Sequence, residues 1–157
     1  MKIQLWVVGK TTQIFVEQGL TEFYGRIKHY LPFEIQVIPD IKNTKNLLPD
    51  QVKEKEGEWI LKNIQSGDYI VLLDEHGREF TSLQFAQYLE RKTHSVSKSL
   101  IFIIGGPYGF SPKVQEAAHE KIALSKMTFS HQLVRLIFVE QLYRAMTILQ
   151  HEPYHHQ

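Results

Sequence analysis

Leu100-Ile101-Phe102-Ile103-Ile104 is apolar at every position and runs straight into Gly105-Gly106-Pro107-Tyr108-Gly109. A strand with one wet face alternates polar and apolar residues, whereas a strand covered on both faces does not. This run therefore demands helices on both sides of a sheet, and the rest of the chain supplies them. Shorter apolar or β-branched runs at Met1–Gly9, Phe33–Pro39, Tyr69–Leu73 and Ile122–Leu124 read as further strands. Between them, apolar residues recur at helical spacing: Val16, Leu20, Phe23, Tyr24 and Ile27, then Trp59, Ile60 and Ile64 at the back of Gln51–Ile64, then Phe85, Ala86 and Leu89. Start signals fall where they should. Thr11 or Thr12 precedes the first helix, Thr81 with Gln84 forms a capping box, Ser111 precedes Pro112, and Ser130 precedes a long last helix over roughly His131–Gln150. Ser66-Gly67-Asp68 is a break, and Lys42–Asp50 is the best loop candidate. Strand–helix alternation predicts an α/β fold with a mostly parallel sheet.

A length of 157 residues suits one domain, here taken as 1–157. The chain has no cysteine, which excludes disulfide scaffolds, thiolate zinc sites and thiol nucleophiles. Its 18 Lys and Arg against 17 Asp and Glu leave a net charge of +1, so any nucleic-acid contact must come from a local patch. No apolar run reaches the roughly 20 residues of a membrane span. Gln4 and Lys10 interrupt the apolar stretch at the N-terminus, against a signal peptide. The expectation is a soluble cytoplasmic domain, with no membrane and no metal.

Gly9-Lys10-Thr11 invites a phosphate-loop reading, but the motif needs a glycine five residues before Gly9, and Gln4 stands there. Gly105–Gly109 is the better ligand loop. It follows the most apolar strand at its carboxyl end, where open α/β sheets bind ligands. It is not the dinucleotide fingerprint, because Pro107 occupies the third position and no partner acid follows. Two more strand ends, Leu73-Asp74-Glu75-His76-Gly77 and the run from Ile122 to Ser130, can wall the same pocket. Asp74 and Glu75 are a candidate carboxylate pair, although neighbours on a strand point apart. On the last helix His131 and Arg135 share a face, while Glu140, Arg144 and Thr147 lie near the opposite one, with Glu140 and Arg144 at ion-pair spacing. Two apolar strips run between them, Leu133, Ile137 and Leu149 on one side and Val134, Phe138, Leu142 and Ala145 on the other. A helix apolar on two sides packs against two things, here its own sheet and a second subunit. The tail carries His151, His155 and His156, without partners at zinc spacing, and reads as a frayed polar end.

The ordered set LLDEHG, IFIIGGPYG, IALSKMTFSHQLVRLIFVEQLYRA and the closing PYH resembles the SPOUT-class methyltransferases that modify N3 of a pseudouridine in large-subunit ribosomal RNA. KEKEGEWIL and MKIQLWVVGK resemble that family too, so the likeness covers essentially the whole chain. The resemblance implies a Rossmann-like sheet with a C-terminal trefoil knot, a homodimer, and S-adenosylmethionine as methyl donor. Threaded chains are almost absent from folds, so nothing in the residue pattern suggests the knot. Carried over by position, the cofactor site comprises Leu73, Gly105, Leu124, Ser125, Lys126, Met127, Thr128 and Phe129. The donor's methyl is already activated, so the protein has to align a ring nitrogen with it, stabilise the charge spreading to the flanking carbonyls, and accept one proton. Arg144 or Arg135 is the candidate cation, His131 or His155 the candidate base, and Tyr154 would stack on or orient the base ring. His156 departs from the family, whose members usually end on lysine or arginine, so a fixed tail contact to phosphate is not expected at neutral pH. The small net charge favours an assembled ribosomal surface over naked RNA. The alternatives are a nicotinamide-dependent oxidoreductase at Gly105–Gly109 and a non-catalytic RNA-binding or assembly module.

Overall fold

The computed structural model describes residues 1–42 and 44–156. Five strands, β1 (Lys2–Val8), β2 (Phe33–Ile38), β3 (Tyr69–Glu79), β4 (Ser99–Ile104) and β5 (Glu120–Ala123), alternate with five α-helices. The helices are α1 (Ile14–Ile27), α2 (Pro49–Asn63), α3 (Ser82–Ser95), α4 (Pro112–Ala117) and α5 (Leu133–Leu149). The sheet order is β2-β1-β4-β3-β5, with every strand pair parallel. β4 is central and buried at all six positions, as its unbroken apolar run requires.

Alternation along the strands sorts side chains into two cores. Ile3, Leu5 and Val7 of β1 and Leu100, Phe102 and Ile104 of β4 point to the face covered by α1, α3 and α5. Trp6, Ile101 and Ile103 point to the face covered by α2 and α4. Phe138 of α5 is fully buried, its ring 4.8 Å from Phe102 and 6.3 Å from Phe85. The apolar strip containing Phe138 and Leu142 thus packs on the chain's own sheet and is no candidate for a second subunit. The opposite strip, Leu133, Ile137 and Leu149, is half-buried.

Several boundaries differ from the sequence reading. β3 does not stop at Leu73. Leu73 and Arg78 both pair with Ile122 of β5, so residues 74–77 bulge out of the ladder. Gly77 closes the bulge, because a Cβ there would lie 2.6 Å from the Ile122 nitrogen. β5 starts two residues before Ile122 and ends before Leu124. Thr11 and Thr12 do not cap α1; Gln13 holds that position without a side-chain bond. α2 starts at Pro49 and the expected loop before it includes the 3-10 turn Thr44–Asn46, while Asn43 lies outside the described residues. α5 starts two residues after His131, although the Ser130 hydroxyl does accept the Leu133 N–H at 3.1 Å. The capping box of α3 forms as read, with Gln84 N–H donating to Thr81 and Thr81 N–H to Gln84.

Candidate functional site

At the bulge of β3 and the carboxyl end of β4, and beyond β5, lies a cleft of about 610 Å³, a volume that suits a ligand of nucleoside size. Three chain segments wall it: Leu73–His76, Ile104–Phe110, and the run from Leu124 through Val134 that leads into α5. The segments are held by local polar contacts. In the bulge, Asp74 accepts the His76 N–H at 2.8 Å, and Glu75, which lines the same cleft, accepts the Thr128 hydroxyl at 2.9 Å. Ser125 accepts the Met127 N–H. In the glycine turn, Gly109 N–H donates to Gly106 C=O at 3.1 Å, and Gly109 holds φ +82, which favours glycine.

Of the residues carried over to the cofactor site, Leu73, Gly105, Leu124, Ser125, Met127, Thr128 and Phe129 line the cleft. Lys126 does not. Its side chain is exposed and its ammonium lies 3.7 Å from Glu79. His131 lines the cleft. Sequence reasoning missed Lys53 and Gln115, which reach it from α2 and α4 and carry no signal beyond being polar residues on helices.

The other catalytic candidates sit elsewhere in the chain. Arg135 is buried against the end of β1, where it donates to Val8 C=O at 2.7 Å, Gly9 C=O at 2.9 Å, the Thr11 hydroxyl at 3.1 Å and His131 C=O at 3.1 Å. Burial lowers its pKa, and the charge of Asp40 opposes that shift. With all these acceptors satisfied, Arg135 is a clamp between α5 and β1, and the cation role read for it is withdrawn. The phosphate-loop reading also fails, since the Gly9 N–H that such a loop would turn to a phosphate is bonded to Ile38 C=O at 2.8 Å.

Arg144, Tyr154 and His155 form one cluster at the far end of α5. Glu140 accepts from Arg144 Nε at 3.1 Å and from the Tyr154 hydroxyl at 3.1 Å. The Arg144 guanidinium lies 4.8 Å from the Tyr154 ring centroid and donates to His155 Nδ1 at 3.0 Å. Arginine can only donate, so His155 Nδ1 accepts and its proton sits on Nε2. Burial, then the charge and hydrogen bond of Glu140, raise the Tyr154 pKa, keeping its hydroxyl neutral. The Tyr30 hydroxyl donates to Glu152 at 2.7 Å, and Glu152 N–H to Thr147 C=O. The tail is therefore docked, not frayed. Among the described residues no three His, Asp or Glu side chains gather as metal ligands do, and no helix is long and apolar enough to cross a membrane.

The family profile described as "Predicted SPOUT methyltransferase" matches residues 1–155. The chain belongs to the SPOUT methyltransferase family. Membership brings with it the knotted C-terminal part, which the strand order alone does not reveal. Relatives that carry the name "Ribosomal RNA large subunit methyltransferase H" match the chain over essentially its whole length. That of Parabacteroides distasonis is 64% identical over 157 residues, and that of Bacteroides fragilis 59% over 157, each covering all of both chains. That of Cytophaga hutchinsonii is 54% identical over 156 residues, 99% of this chain and all of its own. As a SPOUT methyltransferase the chain is an enzyme of methyl transfer, which favours that reading over the nicotinamide and non-catalytic alternatives.

Proposed function

We propose that residues 1–157 form a single domain that transfers a methyl group from S-adenosylmethionine to N3 of a pseudouridine in large-subunit ribosomal RNA. It acts as a homodimer, on the ribosome and hence in the cytoplasm. The observation that carries the proposal is the division of labour along α5. Val134, at its start, lines a cleft suited to a nucleoside; Arg144, ten residues on, belongs to a cation cluster about 15 Å away at 1.5 Å per residue. One chain holds the two halves of the chemistry apart, and a second copy docked on the half-buried strip of α5 is the simplest way to join them.

The cleft fits the cofactor. Leu73, Leu124 and Phe129 offer apolar walls, the glycine turn offers close backbone approach, and Asp74 and Glu75 put negative charge beside a cationic ligand. When bound, the donor supplies an activated methyl on a sulfonium. Arg144 stabilises the charge that spreads to the carbonyls flanking N3, and Glu140 holds its guanidinium in one orientation. His155 Nδ1 is engaged by Arg144, so proton acceptance falls to His131 in the cleft. Tyr154, edge-on to Tyr143 with centroids 4.7 Å apart, gives the base ring a rigid surface.

Mass spectrometry of ribosomal RNA from a strain lacking the gene should reveal one pseudouridine missing a methyl, restored by the purified protein and S-adenosylmethionine on ribosomes. An unchanged methylation pattern would overturn the reading.

A further inference from the structure

α2 buries Val52, Glu56, Gly57 and Ile60. Three of these are what the inner face of a helix requires, and the fourth is a carboxylic acid that is only 6% exposed. A Cβ built on Gly106 would lie 2.8 and 2.9 Å from the two Glu56 oxygens, so the carboxyl rests directly on the turn that lines the cleft. The next residue, Gly57, sits as closely on the start of α4, where a Cβ would lie 2.6 Å from the Ser111 hydroxyl and 3.0 Å from Val114. Glu56 itself does not line the cleft. It supports the turn from behind.

We propose that Glu56 is a positioning residue for the methyl-donor loop, its carboxyl holding the Gly105–Gly106 turn in the shape that binds the cofactor. The inference rests on the cofactor reading of the cleft. Burial raises the Glu56 pKa to about 7, and the like charge of Asp40, which follows β2, pushes the same way. Asp40 is the charged group whose field reaches Glu56, Gly106 is the part of the turn that meets its oxygens, and Ser111 and Val114 of α4 lie against the adjacent Gly57. Asp40 in turn lies near Gly9 and in the field of Arg135. Among the described residues no cationic charge offsets these two effects. Because the folded pKa lies above the ordinary 4.5, its stabilising effect is complete below that value and is lost as pH rises through about 7. Above it, a charged carboxylate behind the turn draws in water and loosens the contact.

Calorimetry with S-adenosylmethionine from about pH 6 to about pH 8.5 on wild type and Glu56→Gln tests this. The ligand's own amino group titrates near ~8, and taking the ratio of the two affinities cancels it. The wild-type-to-variant affinity ratio should fall by roughly tenfold across that range. Glu56→Ala should bind weakly at every pH, with Glu56→Gln restoring affinity. In the ligand-free wild type, the Gly105 and Gly106 amide resonances should follow the Glu56 titration near neutral pH and stay still in Glu56→Gln. Glu56→Leu serves should the amide variant not fold. A constant affinity ratio, or a wild-type Glu56 carboxyl titrating in the ordinary glutamate range, overturns the proposal. A protein that binds no S-adenosylmethionine while its turn resonances still track Glu56 would overturn the cofactor reading and leave the support of the turn intact.

Discussion

Arg135 and Arg144 stand nine residues apart on one helix and meet opposite fates. Arg135 falls on the stripe Arg135, Phe138, Val139, Leu142, Ala145 and Met146, all buried. That spacing is legible in the sequence, and it should have marked Arg135 as an internal group. Its buried guanidinium satisfies carbonyls that would otherwise be orphaned where α5 meets β1. Arg135→Met should therefore cost stability, about 3 kcal/mol or more, because the stranded carbonyls each forfeit a bond. Arg144→Ala should leave melting within a few degrees and cofactor affinity within about twofold, yet slow methyl transfer about 10²–10³-fold. Thermal melts, calorimetry and single-turnover rates on ribosomes separate the two. A loss of activity in Arg144→Ala matched by an equal loss of cofactor affinity would put Arg144 in the wrong half of the site. Gly105 is close-packed as well. A side chain there meets the Phe110 ring at 3.1 Å, so Gly105→Val would reshape the cleft by displacing Phe110 as well as by filling it.

Among the elements, the bulge of β3 is the feature the sequence concealed. Leu73 read as a strand end because Asp74-Glu75-His76-Gly77 is polar and closes on glycine, the usual signature of a turn. The strand resumes because β5 pairs with it on both sides of the excursion, a long-range contact that local pattern cannot express. The cleft was legible by contrast, since three polar or glycine-rich runs follow apolar strands in a parallel sheet. What local pattern omits is the clasp between two of its walls, Glu75 to Thr128. That bond bridges 53 positions and links two of the segments that line the proposed cofactor site. Thr128→Val and Glu75→Ala should each weaken S-adenosylmethionine about threefold to tenfold, the worth of one hydrogen bond of ~1 kcal/mol. The double variant should be no worse than Glu75→Ala alone, because Thr128→Val deletes a contact already lost with Glu75. Fully additive losses in calorimetry would mean that the two side chains meet the ligand separately. The tail went unread for the same reason as the bulge: Tyr30, Glu140 and Tyr143 anchor it, and none adjoins it in sequence.

At the scale of the molecule, the layered α/β plan followed from β4, whose apolar run admits no exposed face. The strand order and the knot did not, because parallel pairing is decided between segments far apart in the chain. The dimer is the remaining step. In the proposed homodimer, an α5 that carries its pocket at one end and Arg144 at the other completes a site when a partner's tail arrives at the cleft. The partner-facing strip must then be Leu133, Ile137 and their half-buried neighbours, since the strip bearing Phe138 is spent on the core. Complementation tests the arrangement directly. Truncation after Glu152 removes Tyr154 and His155 but leaves the cleft, so the shortened protein should bind S-adenosylmethionine and transfer nothing. Gly105→Val keeps the tail and loses the cleft. Each homodimer should be inactive. Co-refolded or co-expressed, about half the dimers are mixed, and in a two-fold symmetric pair one of the two sites of each is whole, so about one quarter of wild-type activity should return. If each chain instead joins its own cleft to its own tail, the mixed dimer contains no whole site, and methyl transfer will stay at background even where heterodimers are isolated by differential tagging.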